Sequence, residues 1–133
     1  MVNLSNTFLL ECEELDQDHK RLVEMVNDIS AQIDSGNTQT CKAMVLNFIN
    51  FAKRHFGREE ILLTEAGYPD VDKHRKHHRE LNDKMQHILE FVDKVEVNEM
   101  AGQSLKKELV YFVMDDLITT DMDFKAFIAN KAV

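Results

Sequence analysis

The sequence predicts an all-α fold, an antiparallel up-down-up-down four-helix bundle with an N-terminal arm. Three observations predict it. Apolar residues recur at spacings of three and four through four long segments, the period of one buried helical face. The connections between these segments are short and hold most of the helix-breaking residues, as antiparallel neighbours require. With four Gly and one Pro in 133 residues, the chain lacks the turn residues of a many-stranded sheet, and no segment alternates with period two.

Residues 1–133 are expected to form a single domain. Residues 1–12 are the arm, which Phe8, Leu9 and Leu10 would pack onto the body. The first helix is expected over Asp16–Asp34, on the stripe Leu15, His19, Leu22, Val26, Ile29 and Ile33. Residues 35–38 end it, with Gly36 suited to the C-cap and Thr38 to the next N-cap. The second helix is expected over Thr38–Ala66, on Cys41, Val45, Phe48, Ala52, His55, Glu59, Leu62 and Ala66, before Gly67 and Pro69 break it. The third is expected over Asp70–Val95, on Val71, His74, His78, Leu81, Met85, Ile88, Val92 and Val95. Residues 97–103 read as a loop. The fourth helix is expected over Ser104–Ile128 with two stripes, one of Leu105, Leu109, Phe112 and Asp116, the other of Val110, Val113, Leu117, Asp121, Phe124 and Ile128.

Composition excludes several classes. A net charge of −8 disfavours nucleic acid and anionic membranes as partners. The opening residues lack a basic leader, and no stretch approaches the roughly 18 apolar residues of a membrane span, so a cytoplasmic location is expected. Cys12 and Cys41 are isolated, outside any CxxC, and are expected to be free thiols.

The four stripes contain seven polar residues where apolar ones belong: His19, His55, Glu59, His74, His78, Asp116 and Asp121. Burying imidazoles and carboxylates is costly unless they are paired or bound to metal. His55 and Glu59 are four apart, as are His74 and His78, so each pair advances about 400° and points one way. With helix directions alternating, all seven fall towards one end of the bundle. A buried hydrogen-bond network is the alternative; a metal site explains all seven with one cause. Four imidazoles and three carboxylates suit a pair of first-row transition ions better than Ca²⁺ or Mg²⁺. The absence of thiolates argues against structural zinc.

QDHKRL at 17–22, HFGREE at 55–60, GYP at 67–69, HRKHH at 74–78 and Asp121 resemble the hemerythrins, most closely the bacterial single-domain kind. The resemblance covers nearly the whole chain. It implies a four-helix bundle holding a non-heme di-iron centre that binds dioxygen. It further implies that His19 and His55 bind one iron and that His74 and His78 bind the other. Glu59, Asp121 and an oxo or hydroxo group would bridge the two. The chain departs from the family at Asp116, where the family has a histidine, and in having no Trp. If Asp116 ligates, its charge favours Fe(III); if it does not reach, the second iron keeps an open position. Ligation is the expectation, because Asp116 continues the Leu105, Leu109, Phe112 stripe.

Oxygen binding, carriage or storage is therefore the expected function, with dioxygen or another small ligand as partner. A di-iron oxidase or peroxidase-type enzyme is the alternative, and an O₂, NO or redox sensing module a third. Glu60, His77, His87, Asp115 and Asp123 are expected off the site, His77 being the nearest spare imidazole. Phe56 and Leu22 flank the ligands and are expected to wall the pocket or pack the core.

Overall fold

A computed structural model describes residue 10, residues 12–95 and residues 99–131. Four α-helices make the body: α1 (Glu13–Asp34), α2 (Cys41–Ala66), α3 (Val71–Val92) and α4 (Glu99–Tyr111). A π-helical segment (Phe112–Thr119), a 3₁₀ turn (Met122–Phe124) and a short α5 (Lys125–Lys131) carry the fourth rod onward. No strand occurs among the described residues. Helix α1 packs on α2 and α4, and α3 packs on the same two, so the rods stand in a square.

Two glycines set the first two reversals. Gly36 and Gly67 have φ of 81° and 75°, the left-handed region that a side chain disfavours. Each closes a Schellman motif. Asn37 N–H donates to the Gln32 carbonyl and Gly36 N–H to Ile33; Tyr68 N–H donates to Leu63 and Gly67 N–H to Thr64. The chain then makes a 3₁₀ turn, Thr38–Thr40, so α2 begins two residues later than an N-cap at Thr38 implies.

The apolar core has two parts. The larger runs up the bundle and includes Leu22, Ala52, Phe56, Leu81, Leu117 and Ile118. The smaller closes one end with Leu10, Leu15, Leu63 and Phe124. Chain order through them fixes the topology. Helix α1 runs from the small cluster (Leu15) to the large (Leu22), and α2 returns from Phe56 to Leu63. Helix α3 runs from Val71, packed on the small cluster, to Leu81, and the fourth rod returns from Ile118 to Phe124. The bundle is therefore up-down-up-down, and every rod passes its polar stripe residues between the two clusters.

The N-terminal arm enters through Leu10, which is fully buried and donates its N–H to Asp16 Oδ1 at 2.7 Å. Phe8 and Leu9 lie outside the described residues.

The fourth rod differs from the single helix expected over Ser104–Ile128. It begins at Glu99, inside the expected loop. Gly102, which read as a loop residue, is a buried helical position where an added Cβ would stand 3.0 Å from Ile33 Cγ2. It is there for close packing on α1. Further on, the π-helical segment widens the turn, so the buried face advances by five residues: Phe112 to Leu117, and Val113 to Ile118.

Candidate metal centre

Each rod brings its ligand candidates in by its own periodicity. His19 comes from α1, His55 and Glu59 from α2, His74 and His78 from α3, and Asp121 from just beyond the π-helical segment. All six are buried, with His19, His55 and Glu59 at 0% exposure. They form two groups whose potential ligand atoms lie within 4.8 Å of one another: His19, His55, Glu59 and Asp121, and Glu59, His74, His78 and Asp121.

The two carboxylates divide their oxygens between the groups. Glu59 Oε2 is 2.8 Å from His55 Nε2, while Glu59 Oε1 faces His74 Nε2 and lies 3.0 Å from His78 Nε2. Asp121 Oδ2 is 2.9 Å from His19 Nε2 and 3.4 Å from His55 Nε2, while Asp121 Oδ1 is 3.3 Å from His74 Nε2. Each carboxylate thus offers one oxygen to each pair of imidazoles, which is the arrangement that bridges two cations.

The donor set fits metal on other grounds. Buried polar atoms are nearly always hydrogen-bonded, yet Glu59 Oε2 has no hydrogen bond of acceptable geometry. His55 faces carboxylates with both ring nitrogens, Nδ1 being 2.9 Å from Asp18 Oδ2. That arrangement calls for positive charge at the ring, as a second proton or as a cation bound at Nε2. Burial opposes this charge, but Asp121, Asp18 and Glu59 outweigh it and hold the His55 pKa well above 6.5. Burial likewise opposes charge on His74, and Asp121 and Glu59 still raise its pKa to about 9. Burial also disfavours the Asp121 carboxylate, yet its contacts with Glu59 and the imidazoles keep its pKa well below 3.8. The shifts of His55, His74 and Asp121 all favour positive charge, a proton or a metal cation, among these carboxylates.

The wall is aromatic. The Phe56 ring stacks on His78 with centroids 4.2 Å apart, and Phe124 meets His74 edge-on at 5.3 Å. Leu22 is fully buried in the larger cluster.

Asp116, expected as a seventh ligand, does not join the cluster. Its carboxylate pairs with Lys84 Nζ at 2.7 Å on the flank between α3 and the fourth rod, and it belongs to neither ligand group. Continuing Leu105, Leu109 and Phe112 to Asp116 assumes an α-turn. The wide turn sends the buried face to Leu117 instead, and from there four residues reach Asp121. His77 is also turned away, donating from Nε2 to the Asp116 carbonyl at 2.7 Å. Glu60 is half-buried, 3.5 Å from His78 Nδ1 and 3.6 Å from Arg75. His87, Asp115 and Asp123 are exposed.

Two residues were missed. Asp18 is buried and accepts from His55, and Arg58 donates to it through Nε at 2.9 Å and Nη2 at 2.7 Å. Burial works against the Asp18 charge, but His55 and Arg58 prevail and lower its pKa below 3.8. The available signal was an aspartate one residue before His19 and an arginine one residue before Glu59, on the facing flanks of α1 and α2.

Residues 12–120 match the family model described as the hemerythrin HHE cation binding domain. That span takes in every clustered residue except Asp121, the next residue along. Curated relatives agree. A bacteriohemerythrin of Campylobacter jejuni subsp. jejuni serotype O:23/36 (strain 81-176) is 28% identical over 105 residues, covering 78% of this chain and 74% of the relative. One from Pseudomonas aeruginosa (strain LESB58) is 24% identical over 110 residues, covering 83% and 70%. One from Stenotrophomonas maltophilia (strain R551-3) is 31% identical over 64 residues, covering 48% of this chain and 42% of the relative.

Proposed function

The chain belongs to the hemerythrin HHE cation-binding family, and from that premise we propose that it holds two iron ions and binds dioxygen reversibly, for carriage or storage. The observation that supports this reading is the division of Glu59 and Asp121 between two imidazole pairs. His19 and His55 would hold one ion and His74 and His78 the other, with Glu59 and Asp121 bridging. Bound iron supplies redox-active centres with room for a small ligand.

The chain's own residues set the conditions. Four neutral imidazoles and two carboxylates put two negative charges on the ligand set, offsetting part of the cations' charge. Phe56 and Phe124 stand against the rings of His78 and His74 and exclude water there. The His55 Nδ1 proton rests against Asp18, leaving its Nε2 lone pair for metal. The reading treats residues 1–133 as one domain in a reducing cytoplasm, in keeping with Cys12 and Cys41, neither of which is disulfide-bonded. Among the described residues, no helix is long and apolar enough to cross a membrane.

The test is to load the metal-free protein anaerobically with Fe(II) and admit oxygen. The expected result is two irons per chain and an oxygen-dependent visible absorption that disappears when oxygen is removed. Irreversible oxidation without such a band would refute carriage.

One observation favours a second reading. Asp116 is held by Lys84, so the His74–His78 half has two imidazoles and no further protein ligand from the fourth rod beyond Asp121. An ion there would keep a position for peroxide, as an oxidase or peroxidase-type enzyme requires. Peroxide turnover well above that of free iron would support this reading, and turnover equal to free iron would dismiss it.

A further inference from the structure

The two halves of the cluster offer the same donors, two imidazoles and one oxygen from each shared carboxylate. They differ in what stands behind one imidazole of each, His55 against His78; His19 Nδ1, in the first half, is like His78 Nδ1 buried without a hydrogen bond. His55 Nδ1 is 2.9 Å from Asp18 Oδ2. Asp18 is gripped by both arms of the Arg58 guanidinium, at 2.9 and 2.7 Å. Arg58 is itself steadied over the Phe51 ring, 5.7 Å from its centroid. In the other half, His78 Nδ1 is buried without a hydrogen bond, and its nearest carboxylate, Glu60, stands off at 3.5 Å. Glu60 is also drawn towards Arg75.

We propose that Asp18, anchored by Arg58, is a positioning residue that makes the His19–His55 half the tighter of the two ion sites, so that the first ion to enter is held there. The proposal rests on the two-ion reading above.

The physical argument has three steps. A carboxylate behind an imidazole fixes the proton on the far nitrogen, aims the near lone pair and raises its basicity. The bidentate arginine fork occupies both Asp18 oxygens, so this carboxylate keeps its place behind His55 and does not turn inward as a competing ligand. His78 has no such partner, so its tautomer is not fixed, and an ion in that half must supply that ordering itself. The two affinities should therefore separate, although the donor sets are alike.

The test uses the full chain, stripped of metal and titrated with Co(II) alone under anaerobic conditions, followed by visible absorption. The wild type is expected to take up two ions per chain in two resolved steps. Asp18→Asn offers one acceptor oxygen where the fork and His55 together need two. It is expected to weaken the tighter step by about 10–100-fold, the range for losing an outer partner of a ligand, and to leave the weaker step in place. Nitrogen-resolved NMR of the metal-free protein supplies a readout independent of metal, since the protected His55 Nδ1–H resonance should be lost in the variant. If Asp18→Asn does not fold, Arg58→Lys carries the same test, because it keeps the charge, loses the fork and should weaken the tighter step alone. Equal weakening of both steps, or of neither, overturns the proposal. Fewer than two ions on the wild type would overturn the two-ion reading and this proposal with it. Two ions with an unaltered tight step in the variants would overturn this proposal alone.

Discussion

The α2–α3 hairpin and the far end of the fourth rod supply the same cluster by different geometry. In the hairpin, regular α-turns bring His55 and Glu59 to one face of α2, and His74 and His78 to one face of α3, with Gly67 closing the reversal between them. In the fourth rod, eight π-helical residues precede the ligand candidate, and Asp121 arrives on the site because the turn before it is wide. A regular helix can present paired ligands one turn apart and keep its hydrogen bonds. A single ligand that must enter between two pairs has no partner on its own helix to share a face with, and here a change of pitch puts it in place. Two aspartates five residues apart thereby meet opposite fates: Asp121 is 2% exposed amid four imidazoles, and Asp116 sits on the flank with Lys84.

The largest expected effect tests the hairpin. Glu59 is the one residue on it common to both ligand groups. Glu59→Ala should abolish binding of both ions, not one, as measured by metal analysis after reconstitution. Retention of a single tightly held ion would mean that Glu59 serves one site and does not bridge. The next effect tests the fourth rod. Inserting one alanine after Asp115, an exposed residue of the π-helical segment, adds a helical step and should swing Asp121 about 100° off the site. Both ion affinities should fall by more than the roughly 100-fold expected for loss of an outer partner, while helical circular dichroism persists. Unchanged metal content would show that the register of this segment does not place Asp121.

Protons give a smaller effect that both regions share. In the metal-free cluster, burial is outweighed by carboxylates of the fourth rod, α1 and α2 at His55, held well above 6.5, and of the fourth rod and α2 at His74, held at about 9. The sign follows for raised groups. Their contribution to the stability of the metal-free fold is complete below about 6.5 and is lost as pH rises through the folded values, near 9 for His74. Metal requires the neutral rings, so uptake at pH 7 should release protons, and affinity should weaken as pH falls. Titration with Zn(II) in weak buffer measures the release directly. No release at pH 7 would contradict protonated imidazoles in the metal-free state.

The same contrast decides how much could be read from the sequence. His19, His55, Glu59, His74 and His78 are legible because they interrupt α-periodic stripes, and a polar residue in such a stripe has few places to go but the bundle interior. Asp121 is legible because it too interrupts an apolar stripe, four residues after the buried Leu117. Asp116 misleads because periodicity carries no mark of a change in pitch: two regular steps, from Leu105 to Leu109 and on to Phe112, invite a third that the backbone does not take. Gly102 misleads in the opposite sense, since a glycine that opens space for Ile33 has the same letter as one that ends a helix. Asp18 and Arg58 flank their stripes, and their pairing spans two helices. No spacing within one helix could reveal it.

The smallest expected effect separates the two aspartates. Asp116→Asn removes the carboxylate charge that meets Lys84, a lysine 52% exposed. An ion pair with one partner so open to water contributes about 0–1 kcal/mol, and salt screens what there is. The variant should therefore lose no more than that in denaturant unfolding, and bind two metal ions as tightly as the parent. The carbonyl of residue 116, which accepts from His77, is untouched by the change, so the wide turn should hold its shape. Asp121→Asn, by contrast, removes a charge shared by both ligand groups and should weaken both ions. If Asp116→Asn instead lowered metal affinity as much as Asp121→Asn does, its carboxylate would have to leave Lys84 and enter the site on loading. The fourth rod would then be adjusting its pitch to the metal, and the fixed difference between the two regions would become a metal-driven one.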